Sequence, residues 1–175
     1  MYMNLTIRQE NEADYNNVYE LNLLSFNEKE EGDLVNLLRK TEKFIPQLSL
    51  VALLSDEVVG HILFTKIKII DNNNNEYESL ALAPMSVLPK YQKKGIGGKL
   101  INKGLDIATK LNFTSVIVLG HEQYYPKFGF VPTKKWNIKP PFEVPTNAFM
   151  GIELVKNSLK NISGTVKYPK EFDDV

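Results

Sequence analysis

Residues 48–70, LSLVALLSDEVVGHILFTKIKII, constrain the fold more than any other stretch. Branched apolar side chains dominate it, and its longest polar break is Ser55-Asp56-Glu57. Such residues favour extended backbone, and a short polar break between two such runs closes a tight turn. The stretch predicts two strands joined by that turn. The polar DNNNNE of residues 71–76 reads as a hairpin loop, and YESLALAPMSVLP, residues 77–89, as the next strand. Pro84 lacks an N–H for the ladder, which predicts a bulge or an edge there.

Around this block the period changes. NLTIRQ, residues 4–9, reads as a first strand. NEADYNNVYELNLLSF, residues 11–26, reads as a helix with Asn11 as N-cap and Ala13, Val18, Leu21 and Leu24 near helical spacing. EGDLVNLLRKTE predicts a second helix with a Leu34, Val35, Leu37, Leu38 face, and Pro46 ends that region. After the three central strands, residues 95–112 are helical, with Ile96, Leu100, Ile101, Leu105 and Ala108 on one face. TSVIVLG predicts a buried strand, HEQYYPKFGF a short helix ending at Gly129, and Phe130 a strand start. A proline-rich segment (KPPFEVP), a strand-like AFMGIEL and a polar tail close the chain. This order predicts one mixed α/β domain over residues 1–175, with a core of about 4–132 and a packed segment 133–175.

Composition narrows the function. Lysine plus arginine equals aspartate plus glutamate at 21 each, so net charge points to no nucleic-acid or membrane partner. There is no cysteine, which excludes disulfides, cysteine nucleophiles and thiolate metal sites. Two histidines, His61 and His121, make a histidine-rich metal site unexpected, and no metal is expected. The N-terminal sequence turns polar too soon for a signal peptide, and no apolar run reaches the roughly 18–20 residues of a membrane span. A cytoplasmic enzyme or binding domain is expected.

The chemistry concentrates in SVLPKYQKKGIGGKL, residues 86–100. Gly95, Gly97 and Gly98 stand where a strand hands over to a helix. The first helical turn leaves N–H groups without partners, and the helix dipole adds positive character. Without Cβ atoms a ligand can approach the backbone, and Lys93 and Lys94 add charge. The combination suits a pyrophosphate or similar anion. The dinucleotide fingerprint does not fit the spacing. The P-loop fails too, because Lys93 and Leu100 occupy its first glycine and its Ser/Thr.

Gln92-Lys93-Lys94-Gly95-Ile96-Gly97 instead fits Q/R-x-x-G-x-G/A and resembles the coenzyme A pyrophosphate loop of the GNAT acyltransferase superfamily. LAPMSVLPKYQ resembles the lead-in on that family's fourth strand, and YYPKFGF its later Y-x-x-x-G-F. VIVLG, FEVPTNAFM and SGTVKYPKEFDDV are similar to a YhbS-like bacterial subgroup of predicted N-acetyltransferases, from about residue 5 to the end and most densely from residue 80. The resemblance implies a mixed, mostly antiparallel sheet with splayed fourth and fifth strands, flanked by helices. It also implies acetyl-CoA as acyl donor and a small-molecule or peptide amine as acceptor, in a monomer or homodimer.

It further implies roles for residues. Free backbone groups near Met85, Ser86 and Val87 would hold the pantetheine arm. The Met85 N–H would face the thioester carbonyl, a donor whose loss typically costs about 10²–10³ in rate. Gln92, Lys93, Lys94, Gly95, Ile96, Gly97, Gly98 and Lys99 would form the pyrophosphate loop. Tyr125 would protonate the leaving thiolate, and Tyr125 and Phe128 would lie along the cofactor. Some relatives place a carboxylate where this chain has Ala81. Glu76, Glu78, Glu122 and His121 are the alternatives for a base, His121 having an unperturbed pKa near ~6.5. Without cysteine, direct attack in a ternary complex is the expected route. A non-catalytic acyl-CoA-binding module on the same fold and a nucleotide-binding protein are the competing readings. Trp136, Phe142, Phe149, Tyr168 and Phe172 are expected to pack on the domain, and some of them to line the acceptor pocket.

Overall fold

The computed structural model describes residues 4–175. The chain runs β1 (Leu5–Gln9), α1 (Tyr15–Phe26), α2 (Glu30–Leu38), β2 (Phe44–Leu54), β3 (Glu57–Ile70), β4 (Glu76–Val87), α3 (Ile96–Lys110), β5 (Ser115–Leu119), β6 (Val131–Pro132), β7 (Ile138–Lys139), β8 (Phe149–Glu153) and β9 (Gly164–Lys167). Hydrogen-bonded strands follow the order β1-β2-β3-β4-β5-β8-β6, with β9 on β3 and β7 on β9. The β1–β2, β2–β3, β3–β9, β5–β8 and β6–β8 pairings are antiparallel. β4–β5 and β7–β9 are parallel. This is the mixed, mostly antiparallel sheet that the resemblance implies. Among the described residues no helix is long and apolar enough to cross a membrane.

Two compact units share this chain. One holds the described residues up to Thr65, with Ala83–Ile107 and Lys170–Val175; the other holds Lys66–Leu82 and Ala108–Pro169.

In the first unit α1 and α2 cover one face of the β2–β3 pair. Val18 and Leu21 from α1, and Leu34, Val35 and Leu38 from α2, bury against Val51, Leu53, Val58 and Leu63. Alternation along β3 sends Gly60 and Phe64 to the opposite face. There they meet α3: a Cβ at Gly60 would lie 3.0 Å from Leu100, and one at Gly104 would collide with the Phe64 ring. The predicted α3 face, Ile96, Leu100, Ile101, Leu105 and Ala108, is buried throughout. Asn11 caps as expected, but the turn it opens is a short 3-10 helix, Glu12–Asp14, ahead of α1. Leu24 does not join the apolar face of α1; it is 60% exposed, and Asn22 is buried in its stead.

Pro46 does not end the helical region. It lies inside β2, between the pairs Phe44↔Thr65 and Ser49↔Leu63, where the register shifts. A proline is tolerated at such an irregularity because the ladder needs no N–H there. Pro84 has a related explanation. β4 is not an edge, since it stands between β3 and β5, but its recorded parallel pairing covers only Leu80↔Val116 and Ala81↔Ile117. Pro84 falls beyond those two positions, after a cis Ala83-Pro84 bond.

The second unit gathers Ile67, Ile69, Ala81, Ile117, Ile138, Phe149, Leu159 and Val166, with Trp136 and Tyr168 against them. The predicted polar tail contains a short strand, β9, whose Val166 is buried, and a 3-10 turn, Lys170–Asp173. Phe142 stacks on Tyr168 at 6.0 Å and meets Phe149 edge-on at 6.4 Å. Phe172 packs on the core of the first unit, to which it belongs. Glu76 and Glu78 belong to β4 and not to the hairpin loop, and Glu76 pairs with Lys68 at 2.6 Å.

Beneath α1 and α2 lies a buried polar cluster. Arg39 donates to both oxygens of Glu10, at 3.0 and 2.7 Å, and its guanidinium sits 3.8 Å over the Tyr15 ring. His61, wholly buried, shares a 3.0 Å hydrogen bond with Ser49. Burial depresses its pKa to about 4, against the pull of Glu10 and with the push of Arg39. His61 is therefore neutral, as a packing residue should be. The lowered pKa fixes the sign of its pH effect: the unfolded chain takes up this proton first as pH falls below about 6.5. Stability is expected to drop by roughly 3 kcal/mol from this group between pH ~7 and ~4. Urea denaturation of wild type and His61→Leu across that range is the check, with a flatter profile in the variant.

Candidate active site

The loop after β4 carries the first group of predicted residues. Pro89 to Tyr91 form a 3-10 turn, and Tyr91 donates its hydroxyl to Glu57 at 2.8 Å. Lys90 pairs with the same carboxylate at 3.1 Å, which leaves its charge committed. Gln92 then folds back, donating its side-chain amide to the Val87 carbonyl at 3.0 Å. Ser25 of α1 donates its hydroxyl to that carbonyl at 3.1 Å. Both lone pairs of the Val87 oxygen are engaged, so this carbonyl is not the free group expected from the sequence. The Ser86 hydroxyl is also engaged, donating to Asn22 at 3.0 Å.

Past Gln92 the backbone reverses. Lys93 adopts a left-handed φ of 62° and Gly95 a φ of 83°. A Cβ built on Gly95 would meet nothing within 4 Å, so the backbone faces open space there. The Gly95 carbonyl accepts from Lys99 N–H at 3.1 Å and opens α3. The N–H groups of Ile96, Gly97 and Gly98 then have no acceptor one turn back. Lys93 and Lys94 are exposed and have no ion-pair partner among the described residues; the Lys94 ammonium rests 5.4 Å from the Tyr91 ring. A helix mouth with open backbone donors and uncommitted cations fits a pyrophosphate.

The second group of predicted residues follows β5. The Gly120 N–H donates to Ala148, and the exposed His121 turns the chain by accepting from Tyr124 and Tyr125 N–H groups at 3.0 and 3.3 Å. The predicted short helix is a 3-10 turn, Tyr125–Phe128, because Pro126 leaves no N–H for a longer ladder. Gly129, at φ 99°, ends it as expected. Tyr125 is buried, edge-on to Tyr124 at 5.2 Å and to Phe130 at 5.6 Å. Its hydroxyl has no hydrogen-bond partner among the described residues, yet it is not one of the fully buried polar atoms. Burial, reinforced by Tyr124, holds its pKa well above the ordinary tyrosine value. Tyr125 is therefore a neutral phenol with a proton to give. Phe128 is half-buried against Tyr124.

The predicted residues thus fall in two groups. Met85, Ser86, Val87 and the loop from Gln92 to Lys99 share one unit; His121, Tyr125 and Phe128 share the other. Ala81, at the carboxylate position of some relatives, is buried in apolar surroundings. Asn22 and Ser25 escaped the sequence reading. Their only signal was a place on the Val18–Leu21 face of α1, where polar residues break the apolar stripe. Glu28, Glu30 and Glu31 bring carboxylate oxygens within 4.8 Å of one another, but Glu28 and Glu30 are exposed, and acidic side chains suit the start of a helix such as α2.

Comparison with known proteins agrees with this geometry. The chain is 38% identical over 120 residues to the uncharacterized N-acetyltransferase YjhQ of Escherichia coli (strain K12), covering 69% of this chain and 66% of YjhQ. It is 27% identical over 150 residues to the uncharacterized N-acetyltransferase YhbS of the same strain, covering 85% and 87%. The crystal structure of E. coli YhbS in complex with CoA superposes with a TM-score of 0.90 at 26% identity, covering 99% of this chain and 94% of YhbS. A GNAT family acetyltransferase from Brucella melitensis in complex with acetyl-CoA gives 0.79 at 29% identity, covering 98% and 100%. The model of the acetyltransferase (GNAT) family matches residues 15–130. With well over half of its length matched by that model, and with the fold and helix mouth described above, the chain belongs to the GNAT acetyltransferase family.

Proposed function

We propose that this protein transfers an acetyl group from acetyl-CoA to a primary amine, by direct attack within a ternary complex. The observation that carries the reading is the open helix mouth at Gly95, with its backbone donors and uncommitted lysines, at the end of β4. In this reading the whole chain is one acetyltransferase domain. Ile96, Gly97 and Gly98 give N–H groups to the pyrophosphate, and Lys93, Lys94 and Lys99 give charge. Gln92 shapes the loop through its bond to Val87. The Met85 N–H donates to the thioester oxygen as negative charge develops there. Tyr125 gives its proton to the departing sulfur, and Phe128 lies along the cofactor. His121 accepts the amine proton through water.

Thermal unfolding tests the cofactor. A ligand at about 100 times its Kd stabilises by roughly 2.7 kcal/mol. For a chain of this size that is a rise in Tm of about 5–10 °C. Acetyl-CoA and CoA are expected to give it, and ATP and NAD are not. No shift at millimolar acetyl-CoA would sink the reading.

The position of Ala81 favours a second reading, an acyl-CoA-binding module without turnover. Release of CoA from acetyl-CoA in the presence of an amine panel separates the two.

A further inference from the structure

Asn22 is wholly buried inside α1. That placement is unfavourable twice over. Asparagine is a poor helix former, and its amide must leave water. A leucine there would pack beside Val18 and Leu21 with neither cost. Asn22 instead donates its amide to the Val18 carbonyl at 3.0 Å and accepts the Ser86 hydroxyl at 3.0 Å. Three residues later, on the same helical face, Ser25 donates to the Val87 carbonyl. The last two residues of β4 are thus tied to α1 by side chains. The backbone already anchors this end, since Leu88 N–H donates to Val59 at 2.9 Å. The ties to α1 run out of the sheet plane, a direction that backbone pairing leaves free.

We propose that Asn22 is a positioning residue for acetyl transfer: through Ser86 it fixes the strand segment that carries the Met85 N–H. This rests on the proposed function, in which that N–H meets the thioester oxygen. Met85 stands between Pro84, whose ring locks φ, and Ser86, whose side chain is bound to α1. Both neighbours of the donor are thereby constrained. A displacement of 1 Å in a reacting arrangement can cost about 10²-fold in rate. Asn22 acts through Ser86 and not on the reacting atoms.

The test uses the full chain and two variants, Asn22→Leu and Ser86→Ala. Turnover is read as CoA release from acetyl-CoA, alone and with a panel of primary amines, with kcat and KM separated. Affinity for CoA is read by calorimetry, and backbone mobility by hydrogen exchange at Met85, Ser86 and Val87. The expected result in each variant is a fall in kcat of about tenfold or more, by misplacement of the donor. CoA affinity should fall by less than kcat does, because the pyrophosphate loop at the helix mouth is untouched, and exchange at the three amides should quicken. The double variant should lose no more than Asn22→Leu alone, since both act through one bond. A merely structural role would lower Tm and leave kcat per folded molecule unchanged, and that result overturns the proposal. If Asn22→Leu does not fold, Ser86→Ala carries the test, because it deletes one hydroxyl only. A wild-type protein that binds no acetyl-CoA and releases no CoA overturns the proposed function and this inference together. That outcome is read on the wild type alone, so it is distinct from loss of the Asn22 effect.

Discussion

Replacing Tyr125 by phenylalanine is expected to lower kcat by about 10²–10⁴, the range for loss of a well-placed general acid. Acetyl-CoA affinity and fold should persist. The ring packs edge-on against Tyr124 and Phe130, contacts that phenylalanine keeps, and the deleted hydroxyl has no partner among the described residues to strand. Steady-state kinetics with calorimetric CoA titration checks both halves. The pH dependence follows from the raised pKa. Tyr125 stays protonated beyond the ordinary tyrosine value near ~10, so the acid remains available through neutral and mildly alkaline pH. A basic limb in the rate below pH ~10 must then come from another group. The same shift makes folding weaker at high pH: the unfolded chain ionises this phenol first, and stability is lost as pH rises past ~10. Unchanged kcat in the variant would remove Tyr125 from the proton path.

Gly95→Ala is expected to weaken acetyl-CoA binding by about 10–100-fold, equivalent to losing one hydrogen bond to a charged group. The Cβ would stand in the open space that a pyrophosphate needs for close approach. Its left-handed φ adds a fold penalty of about 1–2 kcal/mol for a residue with a side chain. That penalty lowers Tm with or without ligand. The ligand-induced rise, measured within each protein, isolates the binding effect. An equal rise in variant and wild type would mean that no ligand approaches Gly95.

Local pattern accounts for what the sequence reading could see. The α3 face and the strand block 48–70 were legible because five apolar positions at helical spacing, or a run of branched residues, leave few other arrangements. The helix mouth was legible because glycines and lysines at fixed spacing have one obvious joint use. Other features depended on partners far along the chain. Pro46 reads as a stop until the register shift opposite Thr65 is known. β9 is four residues long and half polar, too short for a period, and its strand identity comes from β3 and β7. Asn22 and Ser25 look like interruptions of an amphipathic helix. Their meaning lies in Ser86 and Val87, more than 60 residues away.

β9 also bears on how the chain is made. Its pairing sets Thr165 against Ile70 and Lys167 against Lys68, so one side of β3 waits for residues about 95 positions downstream. At synthesis rates of about 5–20 residues per second, that side stays unpaired for on the order of ten seconds. During that interval the nascent chain carries a bare strand edge beside Ile67 and Ile69, the type of surface that recruits other chains. Lys66 lies along this same stretch, and its charge disfavours edge-to-edge pairing with a second copy while the true partner is still being translated.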